Sequence, residues 1–250
     1  MNLIDLEAIQ STTDRNLFYL EQIKSTQDSL LNLLKSNYQT EVPLGLYTFN
    51  QTKGRGQRNQ DWITPLNSAI AISVAFPLND SFDLILFNKN ITLEIADFIQ
   101  ETTPEPIRIK WPNDILLGEK KVAGILMETL SLKDKQMGLV GIGINIFQSN
   151  NLSHLPNSTG IWKENSGTLI KLHELSLTLF NRLISLNSQK DVSHQYNQRL
   201  NKKNELITVE FKNGERKNVR LKGVDSHGRI QIEDGNKEYR YHHGEVRISL

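Results

Sequence analysis

Four short segments of β-like sequence between residues 107 and 147 place the strongest constraint on the fold of this chain. Only short polar connections separate them, and they are Ile107–Trp111, Asp114–Leu117, Val122–Thr129 and Gly138–Phe147. Connections of this kind join neighbouring antiparallel strands as hairpins. We therefore expect a mixed, largely antiparallel sheet. Two further apolar segments, Leu44–Phe49 and Ala69–Phe76, also have the character of strands.

Helical spacing occurs in four other places. The clearest is Gly167–Leu186, where leucines recur every three or four residues and predict an amphipathic helix. Ser25–Ser36 predicts a second helix, because Ser25 is a good N-cap residue and a leucine stripe follows it. Ile91–Gln100 and Val192–Asn201 predict two shorter helices. Helices together with a largely antiparallel sheet predict an α+β fold.

The character of the chain changes after Lys202. Five short β-like segments separated by glycine turns follow, namely Leu206–Phe211, Lys217–Val224, Arg229–Glu233, Glu238–His242 and Val246–Leu250. Such a density of short strands and turns is typical of a small β-barrel. We therefore predict two domains, one over residues 1–202 and a small C-terminal β-barrel domain over residues 203–250.

Composition excludes several classes of protein. The chain has no cysteine, which excludes disulfides, cysteine–zinc sites and thiol catalysis, and fits a reducing cytoplasm. The net charge of +1 at pH 7 gives no sign of nucleic acid or an anionic membrane as a partner. The N-terminus lacks the pattern of a secretory signal, and no run of about 18 apolar residues is present to span a membrane. We expect a cytoplasmic protein that does not cross a membrane.

The polar segment Gln51–Trp62 is the first of three clusters that could carry chemistry. Its two glycines allow the backbone to approach a ligand closely, and Lys53, Arg55 and Arg58 bring positive charge. The planar fork of an arginine matches phosphate oxygens. Spacing alone nevertheless favours an ordinary basic surface loop over a phosphate-binding loop, so both interpretations stay open.

Residues Lys110–Asp114, with the sequence Lys-Trp-Pro-Asn-Asp, form the second cluster. Asn113 and Asp114 are strong turn formers, so local grounds favour a hairpin turn in which they cap their own backbone. Two features point to function instead. A lysine next to a carboxylate can serve a phosphate together with magnesium, and tryptophan and proline are costly choices for a mere turn.

The third cluster is the pair of glycine-bearing strands Lys121–Leu126 and Gly141–Asn145. Small residues in otherwise bulky strands mark the close approach of a ligand or of another backbone, and tight strand packing is an equally good local explanation. The chain has no GxxxxGK[ST] loop, no GxGxxG after a strand and no GxSxG, and its six histidines are scattered. Any use of ATP would therefore need an unconventional phosphate site.

Taken in order, these clusters resemble the motifs of the biotin protein ligase family. The matching motifs are Ser25-Thr26-Gln27, Gln51-Thr52-Lys53-Gly54-Arg55-Gly56 with Trp62, Lys110-Trp111-Pro112-Asn113-Asp114, Lys121-Val122-Ala123-Gly124-Ile125-Leu126 with Glu128, and Gly143-Ile144-Asn145. The resemblance runs from about Phe18 to the C-terminus, where Gly244-Glu245-Val246 is similar to the end of the family's barrel. It implies a class II synthetase-like catalytic domain followed by the small barrel, in a short form without an N-terminal DNA-binding domain.

The resemblance implies a role for each matching residue. The residues implied around biotin, from its ureido ring along its tail to its carboxylate, are Ser25, Thr26, Gln51, Gly124, Gly54, Arg55 and Lys121. The residues implied around ATP and the adenylate are Arg55, Arg58, Trp62, Lys110, Asn113, Asp114 and Asn145. Asp114 is the implied magnesium ligand, and the implied catalytic set is Lys121, Arg55 and Lys110.

The activity that the resemblance implies is an ATP-dependent, AMP-forming ligation. The carboxylate of biotin attacks the α-phosphorus of ATP to give biotinyl-5′-adenylate, and a lysine on the biotin carboxyl carrier domain of a carboxylase then takes the biotinyl group. ATP and biotin are substrates, and Mg²⁺ is the implied cofactor. Two alternatives stay open. A lipoate or octanoate protein ligase shares the adenylate chemistry, although its substrate has no ureido ring, and a non-catalytic biotin-binding module would have no need of Lys110, Asp114 and Lys121.

The glycine-containing loop departs from the family at three positions. Gln57 stands where the family commonly has an arginine, and Asn59 and Gln60 stand where glycine and arginine are frequent. We hypothesise that Arg58 or Lys53 supplies part of the missing charge, or that the adenylate is held less tightly than in relatives.

The length before the first motif bears on DNA binding. Only 24 residues precede Ser25, which is too few for the helix-turn-helix domain of relatives that act as repressors. Since the net charge is also near zero, we predict no specific DNA binding. The family includes monomers and homodimers, and the sequence does not decide between them.

Overall fold

The chain forms two structural units, and each unit is built from two segments that are distant in sequence. The first unit comprises Met1–Phe82 and Lys120–Leu186, and the second comprises Asp83–Glu119 and Asn187–Leu250. The computed structural model describes residues 10–11, 16–36, 40–57, 60–79, 82–133, 135–148, 157–163, 169–186 and 189–249. Such a division by compactness does not establish which segments fold independently, so the domains 1–202 and 203–250 stay a prediction.

One mixed sheet dominates the first unit. Its strands, in the order in which they lie side by side, are β1 (Gln10–Ser11), β2 (Leu17–Tyr19), β3 (Leu44–Thr48), β6 (Ala69–Leu78), β10 (Gln136–Asn145) and β9 (Lys120–Ser131). The pair β2–β3 is parallel and the other neighbouring pairs are antiparallel. The large, mostly antiparallel sheet predicted from the sequence is thereby confirmed. A separate two-stranded hairpin joins β4 (Gly54–Arg55) to β5 (Asp61–Trp62).

Among the described residues, two helices belong to the first unit. Helix α1 (Thr26–Lys35) begins as predicted, because the Ser25 hydroxyl accepts a hydrogen bond from the Asp28 backbone N–H at 3.2 Å. It buries Leu30 and Leu34 in a core cluster whose other members are Leu44, Leu46, Ala75, Met137 and Leu139. Helix α3 (Leu169–Ile184) buries a stripe of leucine and phenylalanine side chains, in agreement with the predicted amphipathic helix.

The second unit contains helix α2 (Leu84–Gln100), helix α4 (Ser193–Arg199) and the hairpin of β7 (Ile107–Lys110) and β8 (Asp114–Leu117). Helix α2 begins seven residues before the predicted start at Ile91. Asp83 caps it by accepting hydrogen bonds from two backbone N–H groups. The early part escaped prediction because its inner face carries two buried polar residues, Lys89 and Asn90, which break the apolar spacing.

Five strands near the C-terminus form a single antiparallel sheet in the second unit. The strands are β11 (Leu206–Phe211), β12 (Arg216–Val224), β13 (Ile230–Asp234), β14 (Lys237–Tyr241) and β15 (Val246–Ser249). They lie in the order β14-β13-β12-β11-β15, and each agrees with a predicted segment to within about one residue. The sheet is confirmed, and its closure into a barrel stays a prediction. In the described ranges, no helix combines the length and apolar character needed to span a bilayer.

Candidate active site

A buried group of hydroxyls and amides lies where helix α1 begins against β6. The backbone N–H and the hydroxyl of Thr26 donate to Gln51 Oε1 at 2.8 and 3.1 Å, and Thr26 Oγ1 lies 2.8 Å from Ser73 Oγ. Since the single hydroxyl proton of Thr26 goes to Gln51, the Ser73 hydroxyl is the donor to Thr26. Ser25, Thr26, Gln51 and Ser73 are all buried. The structure thus brings together three of the residues that the resemblance placed around the ureido ring.

Glycines on β9 and β10 form a flat surface beside this polar group, and the indole of Trp62 lies on it. A Cβ atom added to Gly143 would be 2.1 Å from Trp62 Cε2, and one added to Gly124 would be 3.2 Å from Trp62 Cζ3. Gly124 and Gly143 are direct partners in the pairing of β9 with β10. The ammonium of Lys121 lies 5.4 Å from the centre of the indole ring. Gly124 and Gly143 of the third cluster therefore accommodate the side chain of Trp62 from the hairpin rather than a neighbouring strand.

Polar atoms without hydrogen-bond partners cluster at the same place. Among the residues that the structure describes, four buried side-chain polar atoms lack a partner, and they are Gln27 Oε1, Trp62 Nε1, Thr64 Oγ1 and Asn145 Oδ1. Native proteins leave few such atoms, because each costs about 1–3 kcal/mol of desolvation. Gln27, Trp62 and Asn145 all belong to the sequence motifs. Their unpaired atoms mark a surface that a polar ligand would satisfy.

Arg55 connects the hairpin to two other elements of the first unit. Its guanidinium lies 2.7 Å from Asp28 Oδ1 on α1 and 2.8 Å from Glu128 Oε2 on β9. Glu128 Oε2 also accepts a hydrogen bond from Gln27 Nε2 at 3.0 Å. Desolvation alone would lower the pKa of Arg55, but hydrogen bonds and charge from Glu128 and Asp28 outweigh it and raise the pKa. Arg55 is therefore a permanent cation that two carboxylates hold at the edge of the glycine surface.

The segment around Arg55 differs from the irregular loop expected from its sequence. Gly54 and Arg55 pair with Trp62 and Asp61 as the short strands β4 and β5. The Gly56 backbone N–H donates to Gln60 O at 2.7 Å, and the Gln60 N–H donates to Gln57 O at 3.0 Å. Strands of two residues carry too little periodicity to be recognised in a sequence. Arg58 and Asn59, both named in the sequence analysis, lie outside the described residues.

The second cluster lies in the second unit, at the turn of the β7–β8 hairpin. Lys110, at the end of β7, pairs directly with Asp114 at the start of β8, and Asn113 is buried. The hairpin expected here is therefore present, whereas the capping of the backbone by Asn113 and Asp114 stays a prediction; the hairpin is compatible with a function for the same side chains. The first unit contains the other described residues of the predicted site, Ser25, Thr26, Gln51, Gly54, Arg55, Trp62, Lys121, Gly124 and Asn145.

The potential metal ligands in the described residues fit a magnesium ion only if it binds together with a nucleotide. Within the described ranges, no group of three or more His, Cys, Asp or Glu side chains could hold a metal ion. Mg²⁺ that enters with a nucleotide keeps several waters and needs only one or two protein carboxylates besides the phosphates. Asp114 can supply such a carboxylate. The residues therefore fit an ion bound together with nucleotide phosphates, and not one held by the protein alone.

Two of the site residues were missed by the sequence analysis. Ser73 and the free carbonyl of Gln27 contribute to the polar group, yet neither was assigned a role. Ser73 stands out in the sequence as the one polar residue within the apolar run Ala69–Phe76, which was a usable signal. Gln27 belongs to the Ser25-Thr26-Gln27 motif, but the sequence gives no sign of its contact with Glu128, 101 residues further along the chain.

Comparison with known proteins places the chain among relatives. The bifunctional ligase/repressor BirA of Salmonella typhimurium is 27% identical over 186 residues, which are 73% of this chain and 57% of that protein. The biotin–[acetyl-CoA-carboxylase] ligase of Paracoccus denitrificans is 34% identical over 99 residues, 38% of this chain and 41% of that protein. The chain thus spans about half the length of the curated relatives it matches.

Solved structures give a more complete match. The biotin protein ligase of Aquifex aeolicus in complex with biotin and ATP superimposes with a TM-score of 0.70 and 25% identity, covering 94% of this chain and 99% of that one. The model of the Biotin/lipoate A/B protein ligase family matches residues 19–145, which are 127 of the 250 residues. Since this match covers just over half of the sequence, the chain belongs to the Biotin/lipoate A/B protein ligase family.

Proposed function

We propose that this chain is a biotin protein ligase, which activates biotin with ATP to biotinyl-5′-adenylate and transfers the biotinyl group to a lysine on the biotin carboxyl carrier domain of a carboxylase. The observation that carries the proposal is the buried polar group beside the glycine surface. Thr26, Gln51 and Ser73 form it, and the unpaired carbonyl of Gln27 adjoins it. Relatives that are named biotin ligases, and a similar structure that contains biotin and ATP, support the same reading.

The composition of the polar group selects among the acids used in this family. The ureido ring of biotin presents two N–H donors and one carbonyl acceptor. Gln27 Oε1 can accept from an N–H, and the amide N–H groups of Gln51 can donate to a carbonyl. An octanoyl chain or the dithiolane ring of lipoate offers no such partners. A wrong substrate would leave buried polar groups unpaired, and the binding free energy lost in this way is large enough to discriminate strongly against that substrate. The site therefore favours biotin over lipoate or octanoate.

The first chemical step joins biotin to AMP. A carboxylate oxygen of biotin bonds to the α-phosphorus of ATP, the bond from that phosphorus to the bridging oxygen breaks, and pyrophosphate leaves. Negative charge develops on the phosphoryl oxygens, and we propose that Arg55, Lys121 and Lys110 stabilise it as fixed cations. We propose that Asp114 would hold a magnesium ion bound with the nucleotide, with polar contacts from Asn113 and Asn145, and that this ion would supply further positive charge to the phosphates.

The second step consumes the adenylate. The neutral amine of the target lysine bonds to the acyl carbon, AMP leaves with the electron pair of the anhydride bond, and the amine loses a proton. Because a mixed anhydride hydrolyses in water, it must be covered until the lysine arrives. Trp62, on the hairpin that Arg55 fastens to Asp28 and Glu128, is the proposed cover. Arg58 is proposed to contact the adenylate phosphate from the same hairpin.

Several wider features belong to the proposal. The C-terminal sheet closes into a small barrel, and residues 203–250 form a separate domain after a class II synthetase-like catalytic domain. The absence of cysteine supports a cytoplasmic location. Specific DNA binding is not expected, because the net charge of the chain is only +1 at pH 7.

The proposal is tested by mixing the protein with Mg-ATP, an unmodified biotin carrier domain and one acid at a time, and by weighing the carrier with intact-mass spectrometry. Biotin should add one biotinyl group. The Lys121→Ala variant should abolish the gain, whereas Lys120→Ala, which removes the exposed neighbouring lysine, should retain it. A gain with lipoate or octanoate only would assign the chain to the other branch of the family. No gain with any acid, together with biotin affinity that is independent of ATP, would identify a binding module.

A further inference from the structure

The turn that carries Lys110, Asn113 and Asp114 is fastened by two hydrogen bonds from distant parts of the second unit. The hydroxyl of Tyr196, on helix α4, donates to the Pro112 carbonyl at 2.9 Å. The indole N–H of Trp111 donates to the Gly228 carbonyl at 3.0 Å, in the turn between β12 and β13. Tyr196 is 2% exposed and Trp111 is 5% exposed. Neither hydrogen bond competes with water, so both restrain the turn.

Helix α4, which carries Tyr196, is itself held on two sides. The side chain of Asn197 donates to the Val224 carbonyl at 2.9 Å and accepts from the Val224 N–H at 2.8 Å. The ammonium of Lys89, buried on α2, donates to the Ser193 hydroxyl at 2.9 Å and to the Asp225 carbonyl at 2.8 Å. These contacts fix α4 relative to the end of β12. The Tyr196 hydroxyl therefore works from a rigid support.

The segment that accepts from Trp111 is equally well defined. The Asp225 carboxylate accepts hydrogen bonds at 2.9 Å from the backbone N–H groups of His227 and Arg229. The turn also passes through Gly228 at a φ of +72°, a conformation that favours glycine. The Gly228 carbonyl thus has a definite position. The hydrogen-bonding groups that hold the turn at Lys110–Asp114 are therefore in place before any ligand binds.

Tyr196 has chemistry suited to this task. Desolvation raises the pKa of its hydroxyl, and the charge of nearby Asp114 raises that pKa further. The hydroxyl therefore keeps its proton throughout the physiological range and always donates. A phenylalanine would fill nearly the same volume, so what the hydroxyl adds is its hydrogen bond to the Pro112 carbonyl.

From this geometry we infer that Tyr196 is a positioning residue for nucleotide binding, holding the Pro112 carbonyl so that Lys110, Asn113 and Asp114 face the phosphates in one arrangement. The inference rests on the proposed function of these three side chains. It assigns a role in the reaction to helix α4, which contains none of the family motifs quoted above. Trp111, the residue directly before Pro112, assists through its hydrogen bond to the Gly228 carbonyl.

The test is calorimetric titration of the intact protein with Mg²⁺ and α,β-methylene-ATP, and separately with biotin. The Tyr196→Phe variant should weaken nucleotide binding about three- to tenfold, the equivalent of one lost hydrogen bond, and leave biotin affinity within about twofold. The matched control is Tyr47→Phe, which removes a buried hydroxyl that contacts His173 Nδ1 at 2.7 Å on the sheet of the first unit. It should leave nucleotide affinity unchanged.

The outcomes separate the inference from the proposed function. Three results would each overturn the inference. They are equal nucleotide affinity in Tyr196→Phe and wild type, equal losses of nucleotide affinity in both tyrosine variants, and no nucleotide binding by the wild type. Nucleotide binding by the wild type without biotin-dependent release of pyrophosphate from ATP would reject the proposed function, while the comparison of variants would still decide the role of Tyr196. If Tyr196→Phe does not fold, Trp111→Phe must show the same selective loss, and unchanged nucleotide affinity there would overturn the inference.

Discussion

Replacing Gly143 by alanine tests whether the indole of Trp62 rests on the glycine surface. The new Cβ would lie 2.1, 2.4 and 2.5 Å from three atoms of the ring. Carbon atoms pack at about 3.5 Å or more, so the ring must retreat by roughly 1.4 Å. Strand β10 cannot yield, because it is paired along its length with β6 on one side and β9 on the other. The hairpin that carries Trp62 must move, at a cost of about 1–3 kcal/mol as for other overpacked sites.

Urea unfolding followed by circular dichroism, carried out as a double-mutant cycle, measures this cost. Gly143→Ala should destabilise the wild-type protein by about 1–3 kcal/mol, but in a Trp62→Ala background it should be neutral or slightly stabilising, since alanine is about 0.5–1 kcal/mol better than glycine within a strand. The matched control is Gly124→Ala, directly across the ladder, whose Cβ would meet mainly the flexible end of Lys121 at 2.9 Å. Its cost should stay below about 1 kcal/mol. Equal destabilisation by Gly143→Ala in both backgrounds would refute the reasoning.

Three other perturbations follow from the same structure. Glu128→Gln should lower the free energy of unfolding by about 1 kcal/mol or less, because its partner Arg55 is 39% exposed. It should nevertheless accelerate tryptic cleavage after Arg55, and unchanged cleavage would contradict the role of this ion pair. Gln57→Arg should slow the release of biotinyl-adenylate, measured by rapid dilution of the loaded enzyme, and an identical dissociation rate would reject the idea that Gln57 loosens the intermediate. Desolvation lowers the pKa of His173. Below about pH 6.5 the unfolded state therefore binds a proton that the native state binds less readily, so the free energy of unfolding should fall as the pH drops from 7.5 to 5.5. A His173→Gln variant should lose part of that pH dependence, whereas a stronger dependence would show that the sign is wrong.

Local signals in the sequence were sufficient for most of the fold. Ser25 and the leucines after it predict α1 because a cap and a stripe are short-range features. The turns around Gly214, Gly228 and Gly235 delimit the C-terminal strands for the same reason, since all three glycines have positive φ. The start of α2 could not be predicted. Lys89 is tolerated inside it because its ammonium donates hydrogen bonds to the Ser193 hydroxyl and the Asp225 carbonyl, 104 and 136 residues away in sequence.

The candidate site could also be predicted only in part. Motif residues such as Thr26 and Gln51 could be recognised, because the resemblance names their positions. What they do to one another could not be predicted, since their hydrogen bonds join residues that are 25 positions apart in the sequence. The attachment of Arg55 to Glu128 is still less local, with 73 positions between them. A sequence identifies the polar groups, and only the folded chain determines which of them are already satisfied.

The three-way contact of Arg55 with Asp28 and Glu128 also has a consequence for how the site responds to its medium. All three side chains are between one third and one half exposed, so their attraction is that of a surface ion pair, which dissolved ions weaken. The Thr26–Gln51–Ser73 group is buried and uncharged, so the same ions leave it unaffected. A higher ionic strength is therefore expected to weaken the attachment of the hairpin to Asp28 and Glu128 and to leave the hydrogen bonds of the buried group unchanged. On the proposed function, a higher salt concentration should therefore shorten the lifetime of biotinyl-adenylate on the protein without changing which acid is selected.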